Sequence, residues 1–161
     1  MLVRRRTQGR RLRGFTLIEL MTAVTLMAVL LGLAVPSFRS FIANQRIRNT
    51  SFDLMAALML ARSEAVTRAG DVSFEKTGEE WSAGWTVKSG GTTLLSADMV
   101  RNLSITDSAD LGSVIYGKDG RTSTASTKFT IAPSSEISGV SPRCVSIGPS
   151  GVPSSRMGAC S

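Results

Sequence analysis

The sequence predicts an α+β fold. One long N-terminal helix, membrane-spanning in its first half and amphipathic in its second, packs against a C-terminal antiparallel β domain of one or two sheets. Three observations predict it. Residues 15–35 form an apolar run with a single charge, Glu19. Beyond Pro36 an apolar stripe recurs at helical spacing as far as Ala65. At Gly70 the composition turns to glycine, serine and threonine, and short β-type runs take over.

The totals set the outer bounds. A chain of 161 residues is enough for one domain and an appended segment. Its formal charge of +7 is unevenly placed, because six of the 19 basic residues (Arg4, Arg5, Arg6, Arg10, Arg11 and Arg13) precede Gly14 and no acid does. Residues 15–161 carry 13 basic against 12 acidic groups, a net charge of about +1. The basic character therefore belongs to the leader, and bulk charge gives no case for nucleic acid once the leader is removed. There is no histidine, which takes away the commonest general base and metal ligand together. The two cysteines, Cys144 and Cys160, read as a disulfide and so as an oxidising compartment.

The apolar run comes first in chain order. At 1.5 Å per residue, 21 residues span roughly the 30 Å hydrocarbon core of a bilayer. The preceding arginines keep their end cytoplasmic and send the rest of the chain outward, which agrees with the disulfide. No small-residue cleavage site follows the run, as it would in a secretory signal; the small residue, Gly14, precedes it. Cleavage there would remove the basic leader and keep the helix. On charge and periodicity alone, an uncleaved signal anchor with a stray acid is the alternative. Glu19 speaks against that alternative, since an ionised acid in a membrane helix costs roughly 2.5–3.5 kcal/mol at mid-bilayer and less near the interface. A cut after Gly14 would create an amino group on Phe15, one helical turn from Glu19. That group could pair with the acid of its own chain or of a neighbour and so set the register of packed helices.

These residues carry a family resemblance. "GFTLIEL", followed by a long apolar helix and Pro36, resembles the class III signal of type IV pilins and type II secretion pseudopilins. The resemblance implies a type IV pilin-like fold and cleavage by a prepilin peptidase after Gly14, with methylation of Phe15. It makes Glu19 the assembly glutamate and Pro36 the usual kink. The implied partners are the peptidase, other pilin or pseudopilin subunits met through helix packing, and the bacterial inner membrane. The expected topology is single-pass, with the C-terminal domain periplasmic before it enters a pilus or pseudopilus.

After Pro36 the positions Ile47, Ser51, Leu54, Leu58, Ala61 and Ala65 form one stripe, with Arg46, Arg48, Asp53, Arg62 and Arg68 mostly off it. Gly70 supplies a stop, so the helix is expected over residues 16–69. Gly32 and Pro36, four apart, predict either a bend or local melting, or two residues that a membrane helix simply tolerates.

Seven short strands are expected in the C-terminal half: "VSFEK", "GWTVKS", "TTLLS", "LSIT", "SVIYG", "KFTIA" and "RCVSIG". "VKSGGTTLL" is the clearest hairpin, with Gly90 and Gly91 able to take positive φ. Trp81 and Trp85 in "WSAGW" read as core packing, with sugar binding or base stacking as the functional alternative. "LMAALMLARSEAVTRAGDVSF" followed by "WSAGWTV" narrows the resemblance to the GspH/FimT group of minor pilins and pseudopilins, whose members lay a β domain of two sheets on the helix.

Cys144 and Cys160 enclose 15 residues containing Pro149, Gly151, Pro153 and Gly158, a loop expected to have little regular structure. The bridge is read as a structural staple, since reactive pairs usually sit closer together with a basic neighbour. Such a tail resembles the pilus branch of the group, some of whose members bind DNA through a Gly-Arg-x-Arg motif. Here the corresponding place reads "SGVPSSR": Val152 stands where the first arginine would, leaving Arg156 and, outside the loop, Arg143 for the alternative of DNA binding. No metal site, cofactor or enzymatic activity is expected, because no histidine serves the serines and no phosphate loop is present. The expected organisation is a leader over 1–14, a membrane segment over 15–36, an amphipathic continuation over 37–69 and a β-rich domain over 70–161.

Overall fold

The structure, a computed structural model, describes residues 14–161. The leader, apart from Gly14, lies outside the described residues. The chain divides into two compact units, one ending at Phe38 and one comprising Arg39–Ser161.

One helix, α1, covers Leu17–Arg68 and contributes to both units. It is unbroken through Gly32 and Pro36, so the local melting considered there does not occur. A proline removes one donor from the ladder, and the neighbouring turns keep theirs. In the first unit every described side chain in residues 15–35 is exposed.

The helix ends in a Schellman motif. The Gly70 N–H donates to the Ala65 carbonyl at 3.2 Å and the Ala69 N–H to the Val66 carbonyl at 3.3 Å. The left-handed residue is Ala69, at φ 50°, and not the glycine that follows it. The helix therefore ends at Arg68, two residues before the glycine that signals its end, at the cost of holding an alanine in a region that glycine enters freely.

Eight strands follow: β1 Val72–Lys76, β2 Trp85–Ser89, β3 Thr92–Ala97, β4 Leu103–Asp107, β5 Ser113–Tyr116, β6 Thr127–Pro133, β7 Arg143–Ile147 and β8 Pro153–Met157. They form two four-stranded sheets, ordered β3-β2-β1-β5 and β4-β6-β7-β8, with every pairing antiparallel. The seven strands expected from sequence are all present. The β2–β3 hairpin turns through Gly90 and Gly91 at φ 53° and 84°, with Ser89 opposite Thr92. Both central residues of a two-residue turn thus take the positive φ that its twist demands.

β8 corrects the expectation of an irregular tail. "PSSRM" has no β-branched or aromatic residue to announce a strand. It is an edge strand held by its ladder to β7, with its proline at the first position, where a missing donor is tolerated. The turn into it needs Gly151, at φ 74°, because a Cβ there would meet the Gly120 carbonyl oxygen at 2.2 Å.

All six stripe positions of α1, Ile47, Ser51, Leu54, Leu58, Ala61 and Ala65, are buried, together with Thr50 and Ala57. Ile47, Leu54, Ala57, Leu58, Ala61 and Ala65 meet Val72, Phe74, Val87 and Val114 of one sheet and Leu103, Ile105, Phe129, Ile131, Val145 and Ile147 of the other in a single apolar cluster. Trp81, in a short 3₁₀ turn over Trp81–Ala83, stacks on Phe74 with centroids 4.9 Å apart and meets Phe129 edge-on at 4.9 Å. Trp81 and Trp85 are both fully buried, which assigns the pair to the core and excludes an exposed stacking platform.

Tyr116 closes the far end of this core, its hydroxyl buried with no hydrogen-bond partner among the described residues. Burial pushes its phenol up to about 12, opposed by the nearby Arg62 charge.

Two predictions follow from these features. Ala69→Gly should raise the unfolding free energy by about 1 kcal/mol, read as a higher denaturant midpoint. Because the chain has one tyrosine, tyrosinate absorbance reports Tyr116 alone. In the folded protein it should stay silent at pH 10 and rise only towards 12, while denatured protein titrates near 10. A phenol pKa raised by folding leaves stability intact below pH 10 and erodes it as pH climbs through 12.

Candidate functional site

The first site is the start of α1. Residues 14–16 are non-helical and the helix opens at Leu17. Thr16 caps it: its Oγ1 accepts the Glu19 N–H at 3.3 Å and its carbonyl accepts the Leu20 N–H at 3.1 Å. Glu19 therefore lies in the first turn, where the unpaired N–H groups and the helix dipole favour a negative charge. The spacing T-x-x-E is that of a capping box. Sequence reasoning assigned Glu19 to assembly and missed its place in the cap, although the threonine three residues earlier was the available signal. Gly14 has nothing within 4 Å of where a Cβ would stand, and Phe15 is 77% exposed.

Around this acid the surface is apolar on all sides. Leu17, Ile18, Leu20, Met21, Val24, Leu26, Met27, Val29, Leu30 and Leu31 are all exposed. The helix is long and apolar enough to cross a membrane, and none of its most apolar 18-residue stretch is buried. Soluble monomers do not leave a patch of this size uncovered; lipid or other helices must cover it. The hydroxyls of Thr22 and Thr25 do not add unmet polarity, since they donate to the Glu19 and Met21 carbonyls at 2.9 and 2.8 Å.

The second half of α1 is less one-sided than its stripe suggests. Phe52, Met59 and Val66 recur every seven residues beside the buried stripe, and each is at least half exposed.

The tail is the third element. Cys144 on β7 and Cys160 are joined by a disulfide, and the Cys160 N–H donates to Thr130 Oγ1 at 3.2 Å, tying the tail across β7 to β6. Of the two arginines weighed for DNA, Arg143 stands opposite Met157, whereas Arg156 stands opposite Cys144. Adjacent strand positions point to opposite faces, so the structure does not bring the two guanidinium groups to one surface. Arg156 donates to Ser161 Oγ at 2.9 Å, and Lys128 Nζ donates to the Ser161 carbonyl. These cations are engaged by the tail itself.

Comparison with known proteins decides the family. Residues 52–151 match the family model described as Type II transport protein GspH. The chain belongs to the GspH family. Residues 9–35 of this GspH-family chain match the prokaryotic N-terminal methylation motif, a range that contains Gly14, Phe15 and Glu19. Two solved structures share the fold. The type IV minor pilin FimU of Pseudomonas aeruginosa strain PAO1 is 21% identical with a TM-score of 0.59, over 75% of this chain and 92% of that one. The minor pseudopilin EpsH from the type II secretion system of Vibrio cholerae is 13% identical with a TM-score of 0.52, over 71% and 97%. At these identities the likeness is one of fold: a long helix followed by antiparallel sheets.

Replacing Cys160 by serine should lower the unfolding free energy of this GspH-family domain by about 3 kcal/mol, the value for a loop of this size in the chain-entropy picture. Chemical denaturation of wild type and variant checks it, and an unchanged midpoint would show that the bridge does not hold the tail.

Proposed function

We propose that the chain is a minor pilin or pseudopilin, a structural and assembly-initiating subunit of a type IV pilus or a type II secretion pseudopilus. A prepilin peptidase cuts the precursor after Gly14 and methylates Phe15. The mature chain is held in the bacterial inner membrane by residues 15–36, with its β domain in the periplasm. It is then drawn into a filament by packing of its helix against those of neighbouring subunits.

One observation carries this reading. A lone acid stands in the first turn of a helix whose first half, residues 15–35, carries no other charge and is exposed. Hydrophobic burial among helices supplies cohesion but is non-directional. A carboxylate surrounded by apolar surface has one favourable position, opposite a cation, and a shifted register leaves it unpaired at a cost of several kcal/mol. The amino terminus of Phe15 in a neighbouring subunit is the cation that cleavage creates. The exposed Phe52, Met59 and Val66 extend the contact surface past the membrane.

Glu19→Ala should leave cleavage and membrane insertion intact and reduce incorporation into filaments, measured by comparing the sheared filament fraction with the membrane fraction. Normal incorporation of the variant would refute the role of the acid. Mass spectrometry of the native product should find Phe15 at the N-terminus with a single added methyl group, and a retained leader would refute the processing.

A further inference from the structure

Three arginines of α1 are used neither by the core nor by the proposed assembly. No acid occurs between Glu19 and Asp53, while Arg39, Arg46 and Arg48 do. Arg48 and Arg143 line one groove of about 400 Å³ with Phe41, Asn44, Ser141 and Met157. Arg46 and Arg101 line a second, of about 490 Å³, with Asn49, Thr50 and Asn102. Neither groove is lined by an acid; Asp53 and Asp98 line a different one. Among the described residues the ion pairs are Arg68 with Glu64 and Lys88 with Glu75, so none of these four arginines is paired.

Arg143 stands on β7 with its side chain half-buried. The groove around it is built. Asn44 donates to the Gly139 carbonyl at 2.9 Å and accepts the Ser141 N–H at 3.3 Å, which fixes the loop before β7 against α1.

The position of the groove narrows the occupant. The groove begins at Phe41, six residues after the apolar run in the same helix, and Phe41 is itself exposed. Basic residues are disfavoured on the translocated flank of a membrane helix, so three in ten residues there run against the default. Arginines beside an exposed aromatic at the end of a membrane helix match the chemistry of the bilayer interface, where phosphodiesters lie just outside the hydrocarbon.

We infer that the Arg48–Arg143 groove binds the phosphate headgroup of an anionic phospholipid on the periplasmic face of the membrane. The planar guanidinium groups hold the phosphate oxygens, and Phe41 and Met157 cover the glycerol. This inference rests on the membrane-anchored reading above and adds a lipid contact that holds the domain on the bilayer before assembly.

The test is native mass spectrometry of the leader-free full chain in neutral detergent, with phosphatidylglycerol and phosphatidylcholine in equal amounts. Wild type should retain phosphatidylglycerol in preference. The double variant Arg48→Gln/Arg143→Gln should lose that preference, with apparent affinity for phosphatidylglycerol falling about tenfold or more. Arg48→Lys/Arg143→Lys should keep a measurable part of it. Equal retention of both lipids by wild type, or an unchanged preference in the glutamine variant, would overturn the inference. So would displacement of the lipid by equimolar glycerol phosphate, which would assign the site to a free anion, or by a short DNA duplex. If the double variant melts early, the single Arg48→Gln, at an exposed helix position, gives the same reading. Leader cleavage and filament incorporation do not enter this measurement, so its failure is distinct from failure of the assembly proposal.

Discussion

The structure of residues 39–161 depends on one burial event, the covering of a single stripe of α1 by two sheets. Ile47, Leu54 and Leu58 supply the bulk, and Ala57, Ala61 and Ala65 supply the short side chains that let strands approach the helix closely. Neither sheet could stand alone, because each has four short strands with one apolar face. The helix is the shared partner that lets both faces be buried at once. Polar members of the stripe are matched in place: Ser51 exchanges a hydrogen bond with Ser155 at 2.9 Å, joining the helix to the edge strand β8. The same contact that buries the helix therefore also fixes the tail.

This core is complete without residues 15–35. All of its members lie between Ile47 and Ile147, and the aromatic cluster of Phe74, Trp81, Trp85 and Phe129 closes its middle. The described side chains of residues 15–35 are exposed. One continuous helix thus serves two solvents. Its second half meets the interior of a folded domain on one side, and its first half is suited to lipid and to other helices on every side. In such a chain the stability of the domain and the cohesion of an assembly are separate quantities, which allows the subunit to be folded before it is incorporated.

Charge is distributed on the same plan. Glu19 stands where the helix start offsets it, with Thr16 completing the cap. In the tail, Lys128 and Arg156 are engaged by Ser161. Arg39, Arg46 and Arg48 have no ion pair among the described residues, and they follow closely on the apolar run. An unmet cation beside an anchor segment is economically explained by the anionic surface that such a segment enters.

Much of this was open to reading in the sequence, and the divide follows a physical rule. Where a single side-chain property sets the outcome, the chain alone sufficed. Apolarity broken by a single charge marked residues 15–35, a 3.6-residue period marked the buried stripe, paired glycines marked the β2–β3 turn, and "GFTLIEL" marked the segment that matches the methylation motif. The two cysteines paired as expected because no other partner for them existed. What the sequence left open were outcomes that depend on distant backbone. β8 is a strand because β7 offers it a free edge, and "PSSRM" has no preference of its own to reveal this. Ala69 takes the left-handed position because the carbonyls of Ala65 and Val66 require two donors at once. Arg143 and Arg156, thirteen residues apart, looked like one cationic pair until strand register set them on opposite faces of a sheet. Local pattern determined which segments are helical, apolar or extended. Only tertiary pairing decided which charges share a surface, since a shift of one residue in register turns every side chain over.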